Sequence, residues 1–131
     1  MAKFTLLVTG SHSQSQAHHS AIRFIRAVIE SGNEISSVFF YQEAVTIANR
    51  YLCIPQDETQ LTDQWVKLAE AHNFELQVCV AASNRRGVIN EEEAKMNGKV
   101  GDSIDSAFAV LGLGQLAAAM SNSSSRLIHF K

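Results

Sequence analysis

A thiol followed by two guanidinium groups carries the clearest chemical signal in this sequence. Cys79 stands in an apolar run, Glu75 to Ala82, that breaks into Ser83-Asn84 and then the paired arginines Arg85 and Arg86. The thiolate form of cysteine is the nucleophile of sulfur and acyl chemistry. A nearby cation or helix start would bring its pKa below the free value of about 8.5. A helix opening near Ser83 or Asn84 would supply such a field, together with one of the arginines. On a helix the two arginines diverge by about 100°, so at most one would face the sulfur. Plain packing is the competing explanation, because unpaired cysteine is among the most buried residue types and Val78 and Val80 flank this one. On local pattern alone, packing is the stronger of the two.

The other reactive side chains give weaker signals. Cys53 precedes Pro55 in a loop-like stretch; a disulfide with Cys79 is possible, but the spacing does not demand one. His12, His18 and His19 fall between a first strand and a first helix, where a base could reach a cysteine in space. No HxxxH or HxH spacing supports a metal, and adjacent His18 and His19 would point apart on a helix, so solvated loop histidines are expected. His72 and His129 read as structural. Gly112-Leu-Gly114-Gln-Leu-Ala117 has the form GxGxxA, but too near the end of the sequence for the acid about 20 residues on that a dinucleotide site uses. Glycines entering a last helix explain it better. Ser11, Ser13 and Ser15 make no GxSxG elbow. Glu91, Glu92 and Glu93 fit helix capping, and Trp65 fits the core.

The elements that must position Cys79 follow from periodicity. Phe4 to Thr9 reads as a buried strand ending at Gly10, and Ser11 to Gln16 as a loop. Ala21, Ile22, Ile25, Val28 and Ile29 give a helical face over Ala17 to Ser31, stopped by Gly32-Asn33. Ile35 to Tyr41 is a second strand, so the unit is βαβ with parallel neighbours. A short helix is expected over Glu43 to Tyr51 and a loop over Leu52 to Glu58. A helix carrying Leu61, Trp65, Leu68, Ala69 and His72 ends near Asn73. The third strand spans Glu75 to Ala82. Asn90 opens a helix running toward Gly98, Lys99 to Ser106 is polar, and Leu113 to Met120 forms a last helix. A turn over Ser121 to Ser125 leads to a closing strand, Arg126 to Phe130. In parallel sheets, reaction sites lie beyond the carboxyl ends of strands, and Cys79 falls a few residues short of that edge.

Bulk properties bound the function. The chain of 131 residues, 46% apolar and 18% charged, suits one domain (1–131) with a sizeable core. A net charge of −2 and no Lys/Arg run argue against direct nucleic-acid binding. The opening apolar run is too short for a signal peptide and no stretch is long enough to cross a membrane, so a reducing cytoplasm is the expected setting.

Ser37-Val38-Phe39-Phe40-Tyr41 followed by Glu43 and Asn49, together with Cys79-Val80-Ala81-Ala82 running into Arg85-Arg86-Gly87-Val88, resembles the DsrE/TusD family of sulfur-relay proteins. The Glu91 to Gly98 helix, Gly112 to Leu116 and Arg126 to Phe130 extend the resemblance over nearly the whole chain. It implies a three-layer α/β/α sandwich around a mainly parallel sheet of four to five strands. It also implies a sulfurtransferase whose Cys79 carries sulfane sulfur as a persulfide, with Arg85 or Arg86 stabilising the anion and no cofactor or metal. Implied partners are two smaller paralogous subunits in a heterohexamer-type complex, an upstream sulfur carrier and a downstream sulfur acceptor. The implied end point is 2-thiolation of the tRNA wobble uridine. Sulfur trafficking in dissimilatory sulfur oxidation, or a non-catalytic subunit with Cys79 in its core, are the alternatives; a flavodoxin-like mononucleotide binder is a third. Family members usually carry glycine or proline in the loop after strand one, where this chain has Ser11 to Gln16.

Overall fold

Among the described residues, five short strands, all parallel, form one sheet in the order β4-β3-β2-β1-β5. They are β1 Lys3–Val8, β2 Glu34–Phe40, β3 Glu75–Cys79, β4 Phe108–Leu111 and β5 Arg126–Phe130. The helices are α1 Ala17–Glu30, α2 Leu61–His72, α3 Val80–Arg85, α4 Glu91–Met96 and α5 Leu113–Met120, with a 3-10 helix at Gln42–Ala48. The computed structural model describes residues 1–122 and 124–131. The expected turn over Ser121 to Ser125 therefore includes one position outside the described residues.

Helix α1 forms where Ala21, Ile22, Ile25 and Val28 recur at helical spacing, and all four are buried. It stops because Gly32 adopts φ 80 and the amides of Gly32 and Asn33 return to the carbonyls of Ile29 and Val28. Helix α2 ends the same way, with Asn73 in the left-handed region at φ 57. α1 packs on β1, β2 and β5, and α2 on β3. The connections from β1 through β4 step in one direction and the return to β5 steps back. The handedness of parallel crossovers therefore puts α5 on the opposite face from α1 and α2.

The core centres on Trp65, Phe39, Phe40, Leu6 and Ile25, each at most 1% exposed. Phe40 meets Trp65 edge to face at 5.1 Å between ring centroids and stacks on His18 at 5.7 Å. Emptying so well packed a position, as in Trp65→Ala, removes about 3–5 kcal/mol.

The structure departs from the sequence expectations in three elements. The third strand stops at Cys79, and the Val80-Ala81-Ala82 run expected to prolong it is the first turn of α3. The two alanines favour helix once the strand has lost its neighbour. The stretch expected as a helix over Glu43 to Tyr51 is the 3-10 helix, entered through Gln42 at φ 54. β4 was not anticipated: four residues, Phe-Ala-Val-Leu, are too few for a period to register beside the following Gly-Leu-Gly.

Candidate functional site

The carboxyl edge of the sheet holds both cysteines in opposite settings. Cys79 is the last residue of β3, aligned with Leu111 of β4, and is also the N-cap of α3 with φ −69 and ψ 124. Strand alternation turns it away from Val78 and the α1/α2 face. It sits at the strand end, not short of it, and the helix starts immediately after it and not at Ser83 or Asn84. It is 1% exposed, and both cysteines are free thiols. Cys53 is exposed, with Sγ 3.4 Å from the Tyr51 carbonyl oxygen.

The two arginines separate. Arg86 donates from Nε to Glu43 Oε1 at 2.7 Å and from Nη1 to the Ala82 carbonyl at 3.0 Å, so its charge is committed to joining α3 to the head of the 3-10 helix. Arg85 is exposed and has no ion pair among the described residues. Beyond them Gly87 takes φ 72 and lets the Val88 amide return to the Ser83 carbonyl at 2.9 Å. Ser103, from the polar stretch after α4, fastens this turn: its hydroxyl donates to the Gly87 carbonyl and accepts from the Ile89 amide. Asn90 caps α4 by accepting from the Glu93 amide at 2.8 Å, and Asn84 reaches Glu93 Oε2 at 3.2 Å, which ties α4 to α3.

A second feature of the edge is a cavity of about 580 Å³ between the loop after β1 and the segment before α2, lined among others by His12, Ser13, Asp57, Glu58 and Thr62. Leu52 and Ile54, on either side of Cys53, also line it. Gly10 makes this loop possible, since a Cβ there would lie 2.7 Å from that of Ala17 and 2.6 Å from the Lys131 backbone.

His18 is not a solvated loop residue. It lies fully buried in the first turn of α1, where Nε2 donates to the Gly10 carbonyl at 3.0 Å and Nδ1 accepts from Trp65 Nε1 at 3.0 Å. Those partners fix a neutral ring with the proton on Nε2. Burial pushes its pKa down to about 4, with His12 and His19 adding repulsion and the Gly10 bond opposing. Burial also lowers His12. The histidines form no metal set: among the described residues, no three His, Cys, Asp or Glu side chains converge as ligands. His129 bonds Thr9 Oγ1 at 2.8 Å, and Gly112 enters α5 as its N-cap.

Residues 2–130 match the model of the DsrE/DsrF-like family. The chain belongs to the DsrE/DsrF-like family. Among relatives, the sulfurtransferase TusD of Proteus mirabilis is 44% identical over 89% of this chain and 90% of its own. The TusD of Serratia proteamaculans is 43% identical over 99% and 100%. A DsrE protein of Allochromatium vinosum is 42% identical over 89% and 90%. The crystal structure of YchN from E. coli superposes with a TM-score of 0.71 at 18% identity, covering 98% of this chain and all of that one, and shares the fold. In this DsrE/DsrF-like chain no helix of the described residues is long and apolar enough to cross a membrane. Two residues at the Cys79 corner, Glu43 and Ser83, show no role in the sequence beyond their place near the resemblance motifs. Ser83 is four positions beyond the thiol, and Glu43 follows the second strand.

Proposed function

We propose that this chain is a sulfurtransferase subunit that takes sulfane sulfur on Cys79 as a persulfide and relays it to a partner protein, for 2-thiolation of the tRNA wobble uridine. One observation carries the reading: the cysteine that ends β3 also heads α3, at the carboxyl edge of an all-parallel sheet, where such folds do their chemistry. Relatives named sulfurtransferase at 43–44% identity support the reaction class. The Cys79 thiolate attacks the outer sulfur of a donor persulfide. A new bond forms at Sγ, the donor's S–S bond breaks, and the donor leaves as a thiolate. An acceptor thiolate then attacks the same outer sulfur and Cys79 leaves, with no net oxidation in either exchange. Sulfur is the cargo, so neither step uses a cofactor or metal. Arg85, exposed and without an ion pair among the described residues, and Arg86, held by Glu43 but seven positions beyond Cys79 and so on the same side of α3, are the two cations this corner offers to the anionic persulfide. Partners are a donor, an acceptor and two smaller paralogues, and docking of the donor has to uncover the thiol.

The test is mass spectrometry after exposure to a persulfide donor. Sulfur should appear on Cys79 and be lost with Cys79→Ser; sulfur on Cys53 alone, or unimpaired transfer by Cys79→Ser, refutes the reading. The 1% exposure of Cys79 favours a second reading, a subunit that keeps this thiol as core and carries no sulfur. Cys79 that stays unalkylated and unloaded in the assembled complex would establish it. The resemblance to a DsrE protein keeps sulfur oxidation as the other end point. Loss of 2-thiouridine from tRNA on deletion of the gene separates the two.

A further inference from the structure

Ser83 has the one side-chain oxygen or nitrogen among the described residues that is buried without a hydrogen-bond partner. The residue is 1% exposed. Its carbonyl is engaged, accepting from the amides of Arg86 at 3.0 Å and Val88 at 2.9 Å, while the buried hydroxyl is left spare. A helical serine commonly returns its hydroxyl to the carbonyl four residues back, which here is that of Cys79, and this bond is not made. Buried polar groups are nearly always paired, and an exception points to a partner that arrives later.

The position says which partner. Cys79 is the N-cap of α3 and Ser83 stands four residues on, so the two lie one above the other on one face of the helix. Side chains on a helix lean toward its N-terminus, which tilts the Ser83 hydroxyl back toward the sulfur. Cβ atoms at this spacing are about 5–6 Å apart. That spacing would let a suitably turned thiol reach the hydroxyl, yet Cys79 Sγ makes no such bond here, so the sulfur and the hydroxyl stay apart in the empty protein. A persulfide lengthens the cysteine by one S–S bond, about 2 Å.

We propose that Ser83 is the positioning residue of the loaded state, its hydroxyl donating to the terminal sulfur of the Cys79 persulfide. The inference rests on Cys79 being the carrier and names what holds the cargo once it is there. The proton stays on the serine oxygen, and no bond is made or broken apart from the sulfur exchange. A donor aimed at an anion is the stronger kind of hydrogen bond, so the terminal sulfur is held as a thiolate-like anion inside the cover. The empty thiol leaves Ser83 unpartnered, and loading satisfies it.

The experiment compares wild type, Ser83→Ala and Ser83→Thr, each loaded with a persulfide donor and then diluted into reductant. Persulfide on Cys79 is followed by mass spectrometry, and the denaturation midpoint of the empty protein is measured alongside. For Ser83→Ala the lifetime of the persulfide should fall about tenfold, the loss expected for a hydrogen bond to a charged group. The empty variant should be as stable as wild type or more so, because an unpaired hydroxyl has been removed. Ser83→Thr, which keeps the hydroxyl, should hold sulfur longer than Ser83→Ala. Equal lifetimes for wild type and Ser83→Ala overturn the proposal. So does an empty Ser83→Ala that is destabilised or unfolded, since the hydroxyl then serves the resting structure. If wild type takes no sulfur on Cys79, the carrier reading fails first and this one with it. If wild type loads and the variants do not differ, only this one fails.

Discussion

The two corners of the sheet's carboxyl edge use the same materials, a thiol, a polar loop and nearby charge, to opposite effect. At the β3–α3 corner Cys79 is 1% exposed, walled by a helix that begins on the next residue and latched by Arg86 on Glu43. At the β1–α1 corner the loop stands off the neighbouring segment, a cavity of about 580 Å³ lies between them, and Cys53 beside it is exposed. Position in the topology separates the two thiols. One ends a central strand, where backbone pairing and the following helix hold it; the other follows a 3-10 helix in a stretch with no strand of its own. Accessibility alone would choose Cys53, whereas the proposed carrier is Cys79.

The largest effect expected at this contrast is in sulfur transfer itself. Cys79→Ser should abolish transfer from a persulfide donor to an acceptor thiol, and Cys53→Ser should leave the rate unchanged, as read by labelled sulfur on the acceptor. The reverse pattern breaks the comparison outright. Next is alkylation of the free protein. Cys53 should react with iodoacetamide at the rate of an exposed thiol, and Cys79 at least about a hundredfold more slowly, the factor set by an opening free energy of about 3 kcal/mol. Peptide mapping over time gives both rates in one sample, and similar rates would mean that the closed corner is not closed.

A third effect comes from beneath the open corner, where His18 joins the Gly10 turn to Trp65. Its folded pKa of about 4 lies below the ordinary histidine value of 6.5, so the unfolded chain binds the proton more readily. Stability from this site is complete above about pH 6.5 and falls as pH drops toward 4, by about 3 kcal/mol in total. Urea midpoints at pH 7 and pH 5 should differ in wild type and differ less in His18→Gln, which is uncharged throughout the range. A variant with the full wild-type pH dependence would place the titrating group elsewhere.

Legibility in the sequence divides along similar lines. β1, α1, β2 and α2 follow from period and stop signals because their apolar faces are long enough to repeat, and the Asn90 cap is a local pattern that the structure keeps. The features that define the closed corner are short or non-local. β3 ends at Cys79 although the next three residues are apolar enough to continue it, because what ends a strand is the loss of a neighbour. β4 is four residues long and exists through its pairing with β3. His18 sits in a polar stretch that reads as solvent-facing, and its burial depends on Trp65, 47 positions away. The pairing of Arg86 with Glu43 likewise spans 43 positions, so the sequence could not tell the engaged arginine from the exposed one.

That pairing supplies the smallest effect and the finest test of the contrast. Arg86 is partly shielded and Glu43 mostly exposed, with side-chain exposures of 26% and 60%, so the charge–charge part is worth little in water, about 0–1 kcal/mol. The bond from Arg86 to the Ala82 carbonyl adds about 1 kcal/mol, and it is lost only when the guanidinium itself is removed. Arg86→Ala should therefore lower stability by about 1–2 kcal/mol, and Glu43→Gln by less than about 1 kcal/mol. If the latch holds α3 against the 3-10 helix over Cys79, the same energy appears as accessibility. One kcal/mol is roughly a fivefold change in the opened fraction, so alkylation of Cys79 should quicken about fivefold or more in Arg86→Ala. Cys53 serves as the internal standard in the same tube and should not change. A matching rise at both thiols would report a change in the reagent and not in the protein; a rise at Cys79 alone, with an opening free energy still well below the global unfolding free energy from the urea titration, would mark the latch as the element a docking donor has to release.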